Sequence, residues 1–231
     1  MEAGIERMLV PGWDLPSSEA ALALAARHAP LIQAAVGLHP HYAAAADERT
    51  WRELEALTGD GRCAAVGEIG LDYFRNISPP SVQRAAFERQ LQTAADRSLP
   101  VLVHDREAHE DVTAALSRWP GRTLSGARGA LHAFSGDAAM AGALTAHGYL
   151  VSFALPLSFR SAVGPRSAAA AIPAETYLVE TDAPYLGPDR DGRNEPTTTL
   201  RVATELASLR GIEPQAVADE VRRAYKRLVD A

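Results

Sequence analysis

Four short apolar runs in this chain each lead into a side chain that can bind a metal ion. The four side chains are Glu68, His104, His132 and Asp182. A buried strand gains nothing by ending on such a group, because these groups are costly to bury unless they are paired or bound to a metal. In parallel α/β barrels the C-terminal ends of the strands converge on one face, so the four runs predict one shared site.

The spacing of these side chains supports a barrel. Glu68 and His104 are 36 residues apart, and His104 and His132 are 28 apart. Both intervals are close to the roughly 31 residues of one βα unit in a barrel of about 250 residues. The interval from His132 to Asp182 is longer, at 50 residues, and the strand-like run over residues 148–153 accounts for the excess.

Helical and strand-like segments alternate along the whole chain, and the strand-like runs lack a period of two. This pattern predicts an α/β fold with a parallel sheet buried on both faces. We count about seven strands where a closed barrel has eight, so we expect an incomplete TIM-type (β/α) barrel with a gap between the strand near Arg7 and the strand before Asp182. Residues 1–231 are expected to form one domain, and Ser17 or Ser18 is expected to cap the first helix.

Composition limits the possible partners. The formal charge is −6 and the pI about 5.7, which argues against binding of nucleic acid through a broad basic surface. A polyanionic substrate would therefore be held locally, by metal ions and a few arginines. The single cysteine, Cys63, and the lack of a long apolar segment predict a cytoplasmic protein without membrane contact, and a monomer is favoured.

The candidate ligands also have ordinary interpretations. A histidine standing alone is more often a satisfied core residue, and an isolated acid after a strand is often solvated or a helix cap. Several such groups together favour zinc, manganese or iron, which neutral imidazole suits. Asp182 could also take a proton from a metal-bound water. We expect the glycines beside Glu68 to let the backbone approach an ion, and we predict His39 as a substrate contact because Pro40 marks a loop.

Three further residues are predicted to contact the substrate. Arg106 follows His104 by two residues, and Arg193 and Asn194 lie in the loop after the last strand. A guanidinium offers paired donors to phosphate or carboxylate, so the two arginines are candidates for a clamp. Either arginine could instead form an ordinary surface ion pair.

Six segments of the chain resemble, in order, the motifs of the TatD-type metal-dependent deoxyribonucleases, which belong to the larger amidohydrolase-like barrels. The resemblance covers nearly the whole chain. The segments are residues 37–41 (GLHPH), 67–73 (GEIGLDY), 100–108 (PVLVHDREA), 132–136 (HAFSG), 180–185 (ETDAPY) and 193–196 (RNEP).

The resemblance implies divalent-metal-dependent hydrolysis of DNA phosphodiesters, often from the 3′ end, with magnesium, manganese or zinc. It implies that Glu68 bridges two ions, with His104 and His132 on one and Asp182 on the other, and that Asp182 acts as the base. One or two ions are therefore expected.

The chain departs from the family pattern at its start. Family members open with a strand carrying His-x-His, and nothing before Gly4 matches it. Two alternatives stay open. The shortage of positive charge favours an amidohydrolase acting on a small amide or ester, and the departure at the start of the chain favours a degenerate barrel that binds metal or nucleic acid without turnover.

Overall fold

The computed structural model describes residues 4–188 and 192–230. Seven parallel strands form one sheet in chain order, curled into a half-barrel with helices between the strands. The prediction of an incomplete TIM-type barrel with about seven strands is confirmed. The strands are β1 Met8–Pro11, β2 Ile32–Val36, β3 Cys63–Asp72, β4 Val101–Arg106, β5 Gly129–Leu131, β6 Tyr149–Phe153 and β7 Tyr177–Val179.

Eight α-helices connect or follow these strands in the described residues. None of them combines the length and apolar character needed to span a bilayer. The helices are α1 Leu15–Arg27, α2 Glu48–Leu57, α3 Pro80–Arg97, α4 His109–Arg118, α5 Ala138–Ala146, α6 Val163–Ala171, α7 Thr199–Arg210 and α8 Pro214–Val229, and short 3-10 helices lie at Pro40–Ala45, Leu155–Ser158 and Pro196–Thr198.

The start of α1 differs from the sequence prediction. Asp14, not Ser17 or Ser18, is the N-cap residue, and its carboxylate accepts the Ser17 N–H at 2.8 Å. Ser17 accepts the Asp14 N–H in return, which completes a capping box, while Ser18 is fully buried. Proline is favoured in the first turn of a helix, so Pro16 indicates a helix that begins at Leu15 with Asp14 as its N-cap.

Alternate residues of the strands face opposite sides of the sheet, and each side has its own apolar layer. Val101 and Val103 of β4 pack in the layer that includes Leu116 of α4 and Leu144 of α5. Leu102 lies on the other side, where the strands pack against α8. Leu9, Ala130, Leu150 and Leu178 share that second layer with Ala224 and Leu228.

Helix α8 spans the space between the two edge strands, β1 and β7. On the β1 side, the Tyr225 hydroxyl lies 3.0 Å from Gln33 Oε1, and Asp230 pairs with Arg7. On the β7 side, the Tyr177 hydroxyl donates to Glu220 at 2.7 Å. The expected gap between the edge strands is therefore crossed by a helix, which covers apolar side chains of the strands.

Candidate metal centre

The four predicted ligands come together at the C-terminal side of the sheet, but Glu68 reaches it in an unexpected way. Glu68 does not end its strand, because β3 continues to Asp72. The pairing of β3 with β4 shifts register between Val66 and Ile69, and Glu68 lies inside this irregularity. A bulge of this kind turns a side chain that regular pairing would direct elsewhere.

The glycines near Glu68, Gly67 and Gly70, are required by strand packing, while the predicted approach of an ion to the backbone stays a prediction. A Cβ on Gly67 would lie 2.5 Å from Leu102 Cβ of β4. Gly70 has a φ of +132° and sits against the carbonyl oxygen of His104, where a side chain would collide. Both positions require glycine because β3 and β4 approach closely beside the site.

His104, in β4, lies between two carboxylates. Its Nδ1 is 3.0 Å from Glu68 Oε1, and its Nε2 is 3.2 Å from Asp72 Oδ2. Asp72 is buried, and its other oxygen accepts the Arg75 N–H at 2.7 Å. Because Asp72 can hold the proton on Nε2, Nδ1 is left as a ligand atom beside Glu68.

His132 follows β5 directly and shows the same arrangement. Its Nδ1 lies 2.8 Å from Glu180 Oε2, while its Nε2 lies 3.0 Å from Asp182 Oδ1. The other Glu180 oxygen accepts the Ala133 N–H. A carboxylate on the far nitrogen of a histidine sets the tautomer and orients the ring for metal binding, so the geometry prepares His132 Nε2 to coordinate an ion.

Neighbouring potential ligand atoms in the site are separated by about the distance expected between two ligands of one ion. With metal–ligand bonds of about 2.0–2.1 Å, the edge of a coordination tetrahedron is about 3.3 Å. Glu68 Oε1 lies 3.0 Å from His104 Nδ1 and 3.9 Å from His132 Nε2, and the latter is 3.0 Å from Asp182 Oδ1. The donors are imidazole nitrogens and carboxylate oxygens, a set that suits zinc or manganese.

Within residues 4–188 and 192–230, two groups of three residues bring potential ligand atoms within 4.8 Å of one another. One group contains His39, Glu68 and His104, and the other contains His132, Glu180 and Asp182. Glu68 lies between the two groups, since its Oε1 is within 4 Å of a nitrogen from each of three histidines. This position is the one a shared, bridging carboxylate would occupy.

His39 has a hydrogen-bond pattern that differs from that of the other two histidines. Its Nδ1 accepts the His41 N–H at 3.2 Å, and its Nε2 faces Glu68 Oε1 at 3.7 Å. Burial lowers the pKa of His39 to about 3, against the opposing influence of Glu68, so the ring is neutral. A neutral ring that accepts at Nδ1 carries its hydrogen on Nε2, which favours donation to an oxygen over coordination of an ion.

The charged side chains of the site shift one another's pKa values. Burial alone would raise the pKa of Glu68, but His132, His104 and His39 outweigh it and hold that pKa at about 2. Burial likewise opposes protonation of His132, yet Glu180, Glu68 and Asp182 raise its pKa well above the usual value. Without an ion, the positive charge that balances these carboxylates must reside on the imidazoles.

The three other predicted substrate contacts differ from one another in exposure and in hydrogen bonding. Arg106 is exposed, and its guanidinium carbon lies 4.0 Å from the centre of the Phe74 ring. Arg193 is exposed in the loop that precedes α7. Asn194 is buried, and its amide nitrogen donates to Tyr185 O at 2.7 Å and to Leu186 O at 3.2 Å. These bonds favour a role for Asn194 in shaping the loop over the predicted contact with substrate.

The sequence reasoning assigned no role to three residues that the structure places in the site. Asp72 and Glu180 hold the far nitrogens of His104 and His132, and His41 Nε2 shares Asp72 Oδ2 at 2.8 Å. Each of the three stands within four residues of a predicted site residue in the sequence. Proximity to a candidate ligand was therefore the available signal, although it could not show which acid pairs with which ring.

Comparison with known proteins agrees with this geometry. A family model described as TatD related DNase matches residues 1–230. The chain is 38% identical over 219 residues to the 3′-5′ ssDNA/RNA exonuclease TatD of Cronobacter sakazakii, covering 92% of this chain and 82% of that protein. It is 32% identical over 226 residues to the uncharacterized metal-dependent hydrolase YabD of Bacillus subtilis, covering 97% and 87%.

A solved structure extends the agreement to the fold. The crystal structure of YJJV, a TatD homologue from Escherichia coli k12, superposes with a TM-score of 0.90 at 28% identity, covering all of this chain and 88% of that one. The family model, the sequence relatives and the solved structure all identify the same family. This chain belongs to the TatD family of metal-dependent hydrolases.

Proposed function

We infer that this chain hydrolyses phosphodiester bonds of single-stranded DNA or RNA, removing nucleotides from the 3′ end, with one or two divalent ions held by Glu68, His104, His132 and Asp182. The observation that carries the inference is the pairing of each ligand histidine with its own outer carboxylate, Asp72 or Glu180, while the inner nitrogens face Glu68 or Asp182. The substrate and direction are supported by the Cronobacter sakazakii relative, whose name describes them.

The protein residues would prepare the site for the ion. When bound, a divalent ion supplies Lewis-acid stabilisation of charge on phosphoryl oxygens and makes a coordinated water more acidic. Asp72 and Glu180 keep hydrogens on the outer nitrogens of His104 and His132, so the inner nitrogens remain free to coordinate. Glu68 contributes a carboxylate that stays ionised at any physiological pH, because its pKa is about 2.

Asp182 is the best placed of the four to accept a proton from an attacking water. Its side chain is 23% exposed, against 13% for Glu68 and 15% for His132. A general base must reach both the water and the solvent that later removes the proton. The greater exposure of Asp182 therefore supports the double role of ligand and base.

His39 would act on the substrate and not on the ion. The neutral ring carries hydrogen on Nε2, in the space beside Glu68. A buried neutral donor at this position could stabilise negative charge that develops on a phosphoryl oxygen. His39→Gln should therefore lower kcat for oligonucleotide hydrolysis and leave metal affinity nearly unchanged.

The central test is Glu68→Gln, with Glu53→Gln as the matched control on the exposed face of α2. Both proteins would be stripped of metal, reloaded separately with magnesium, manganese or zinc, and assayed for nucleotides released from end-labelled single-stranded oligonucleotides. We expect Glu68→Gln to abolish release and Glu53→Gln to retain it, with unchanged circular dichroism. Full activity of purified Glu68→Gln would show that this carboxylate has no metal role.

The formal charge of −6 is the one observation that favours a second candidate, hydrolysis of a small amide or ester at the same site. A strongly anionic protein attracts a polyanion poorly at long range. Assaying the metal-loaded protein on dipeptides and aryl esters alongside oligonucleotides separates the two candidates. Turnover of the neutral substrates alone would favour the second one. A metal-loaded protein that turns over none of them would support the degenerate barrel.

A further inference from the structure

Exposed aromatic side chains are concentrated at one end of the described molecule. The structure describes five that are more than two-fifths exposed, and every one follows the C-terminal end of a strand. We call these five residues the aromatic rim. They are Trp13 at 45%, Tyr42 at 41%, Phe74 at 56%, Phe159 at 56% and Tyr185 at 70% exposed.

Backbone hydrogen bonds tie three rim residues directly to residues of the candidate metal centre. Trp13 O accepts the His39 N–H at 2.9 Å, and the Tyr42 N–H donates to His39 O at 2.9 Å. The Tyr185 N–H donates to Asp182 O at 2.6 Å. Phe74 follows Asp72 by two residues. Four of the five rim residues therefore lie beside residues of the candidate metal centre.

The distribution of other apolar side chains makes the concentration more specific. Ten large apolar side chains are exposed in the described residues, and nine of them lie between the end of a strand and the first turn of the next helix. The tenth, Leu124, precedes β5 at the opposite end of the sheet. An exposed apolar side chain lacks the stabilisation of roughly 25 cal/mol for every Å² that it could have buried. Contiguous exposed apolar surface marks interaction sites.

The charge of the protein determines what the rim can offer to a nucleic acid. At −6, the chain lacks the positive field by which most nucleic-acid-binding proteins gain affinity from phosphates. Base stacking on aromatic rings provides affinity without net charge and tolerates any sequence, because every base has a π-face. Paired bases in a duplex do not expose their faces for such stacking.

Phe74 and Arg106 illustrate how one element of the rim would work. The Arg106 guanidinium lies over one face of the Phe74 ring, with its carbon 4.0 Å from the ring centre. Phe74 remains 56% exposed, so ring surface is still available to a ligand. A planar guanidinium on a ring forms a platform that carries positive charge as well as π-surface.

We propose that the aromatic rim binds unpaired nucleobases by stacking and so positions single-stranded nucleic acid with its phosphate at the metal centre. The proposal rests on the proposed function, since it gives that site its selectivity for single strands. Stacking replaces the basic surface that this chain lacks. It also explains why large rings remain exposed in loops next to a polar site.

The test measures binding without turnover. Fluorescence anisotropy of a labelled oligodeoxythymidylate would be recorded with metal removed by a chelator, for wild type and for Trp13→Ala, Phe74→Ala and Tyr185→Ala. Loss of one stacked base should weaken binding roughly 5- to 150-fold for at least two of these variants. Leu124→Ala, which removes a still more exposed apolar group at the opposite end, should bind as wild type does.

Two comparisons separate stacking from a general apolar contact. Trp13→Phe keeps a π-face and should retain most of the affinity that Trp13→Leu loses. An abasic oligonucleotide with the same backbone should bind wild type weakly and respond little to any rim substitution. Equal binding of the abasic probe, or rim variants that bind the oligodeoxythymidylate like wild type, would overturn the proposal. So would lipid vesicles that bind through the rim when the oligonucleotide does not.

Failure of the rim and failure of the proposed function give different results. Hydrolysis of a thymidine 5′-phosphate p-nitrophenyl ester by wild type, abolished in Glu68→Gln, tests the chemistry alone. If this ester is cleaved while rim variants bind oligonucleotide normally, only the stacking proposal falls. If no phosphodiester is cleaved under any metal while rim variants still lose oligonucleotide binding, only the hydrolytic function falls.

Discussion

Glu180 determines which nitrogen of His132 is free to bind an ion, and the variant Glu180→Gln should reverse that choice. The Glu180 carboxylate accepts twice, from His132 Nδ1 at 2.8 Å and from the Ala133 N–H. A glutamine has one oxygen and one NH₂ group for these two positions. If its oxygen keeps the Ala133 N–H, its NH₂ group faces Nδ1, which must then accept, and the hydrogen of His132 moves to Nε2.

The expected magnitude follows from the role of Nε2. This atom lies 3.0 Å from Asp182 Oδ1 and 3.9 Å from Glu68 Oε1, so a hydrogen there occupies the position of the ion. Removing an outer partner of a metal-binding histidine typically costs 10- to 100-fold in metal affinity, about 1.4–2.7 kcal/mol. The free energy of unfolding of the metal-free protein should also fall, by about 1.5–3 kcal/mol, because the substitution removes a charged hydrogen-bond partner of the protonated His132.

The assay is a competition between protein and a fluorescent chelator for manganese or zinc, performed on metal-free samples. Glu205→Gln is the matched control, because Glu205 pairs with Arg166 away from the metal centre. In a His132→Ala background, Glu180→Gln should cause no further loss, since its effect passes through the missing ring. Wild-type affinity for Glu180→Gln, or an additive loss in the double variant, would refute the reasoning.

Three further predictions concern the same site and its support. Metal affinity should decrease as the pH falls, because the raised pKa of His132 and of His104 keeps protons on the rings in competition with the ion; a pH series of chelator competitions checks this, and a flat profile contradicts it. Metal analysis after dialysis should find about one tightly held divalent ion per chain, because an ion at His132 and Asp182 would share Glu68 and leave a second ion only His104 beside that shared carboxylate; two tightly held ions would contradict this. Leu228→Ala in α8, 1% exposed against the inner face of the sheet, should lower the free energy of unfolding in urea by about 2–5 kcal/mol, whereas the exposed Leu124→Ala should have little effect.

Local patterns in the sequence were enough to determine the fold class and to identify the candidate ligands that the structure brings together. Apolar runs that end in His104, His132 and Asp182 identify buried parallel strands, since side-chain polarity within a few residues reflects burial directly. The number of strands could be counted from the regular alternation of helical and strand-like segments alone. Glu68 was found for the same reason, although its location inside β3 was not, because a shift in pairing depends on the neighbouring strand.

Only the tertiary structure decided how these groups act together. The assignment of Asp72 to His104 and of Glu180 to His132 depends on distances of about 3 Å between side chains from different strands, which no local pattern encodes. The crossing of the sheet edges by α8 depends likewise on contacts between ends of the chain, such as Arg7 with Asp230. Hydrophobic periodicity predicts that a face is buried, but the partner that buries it is selected by the packing of the whole chain.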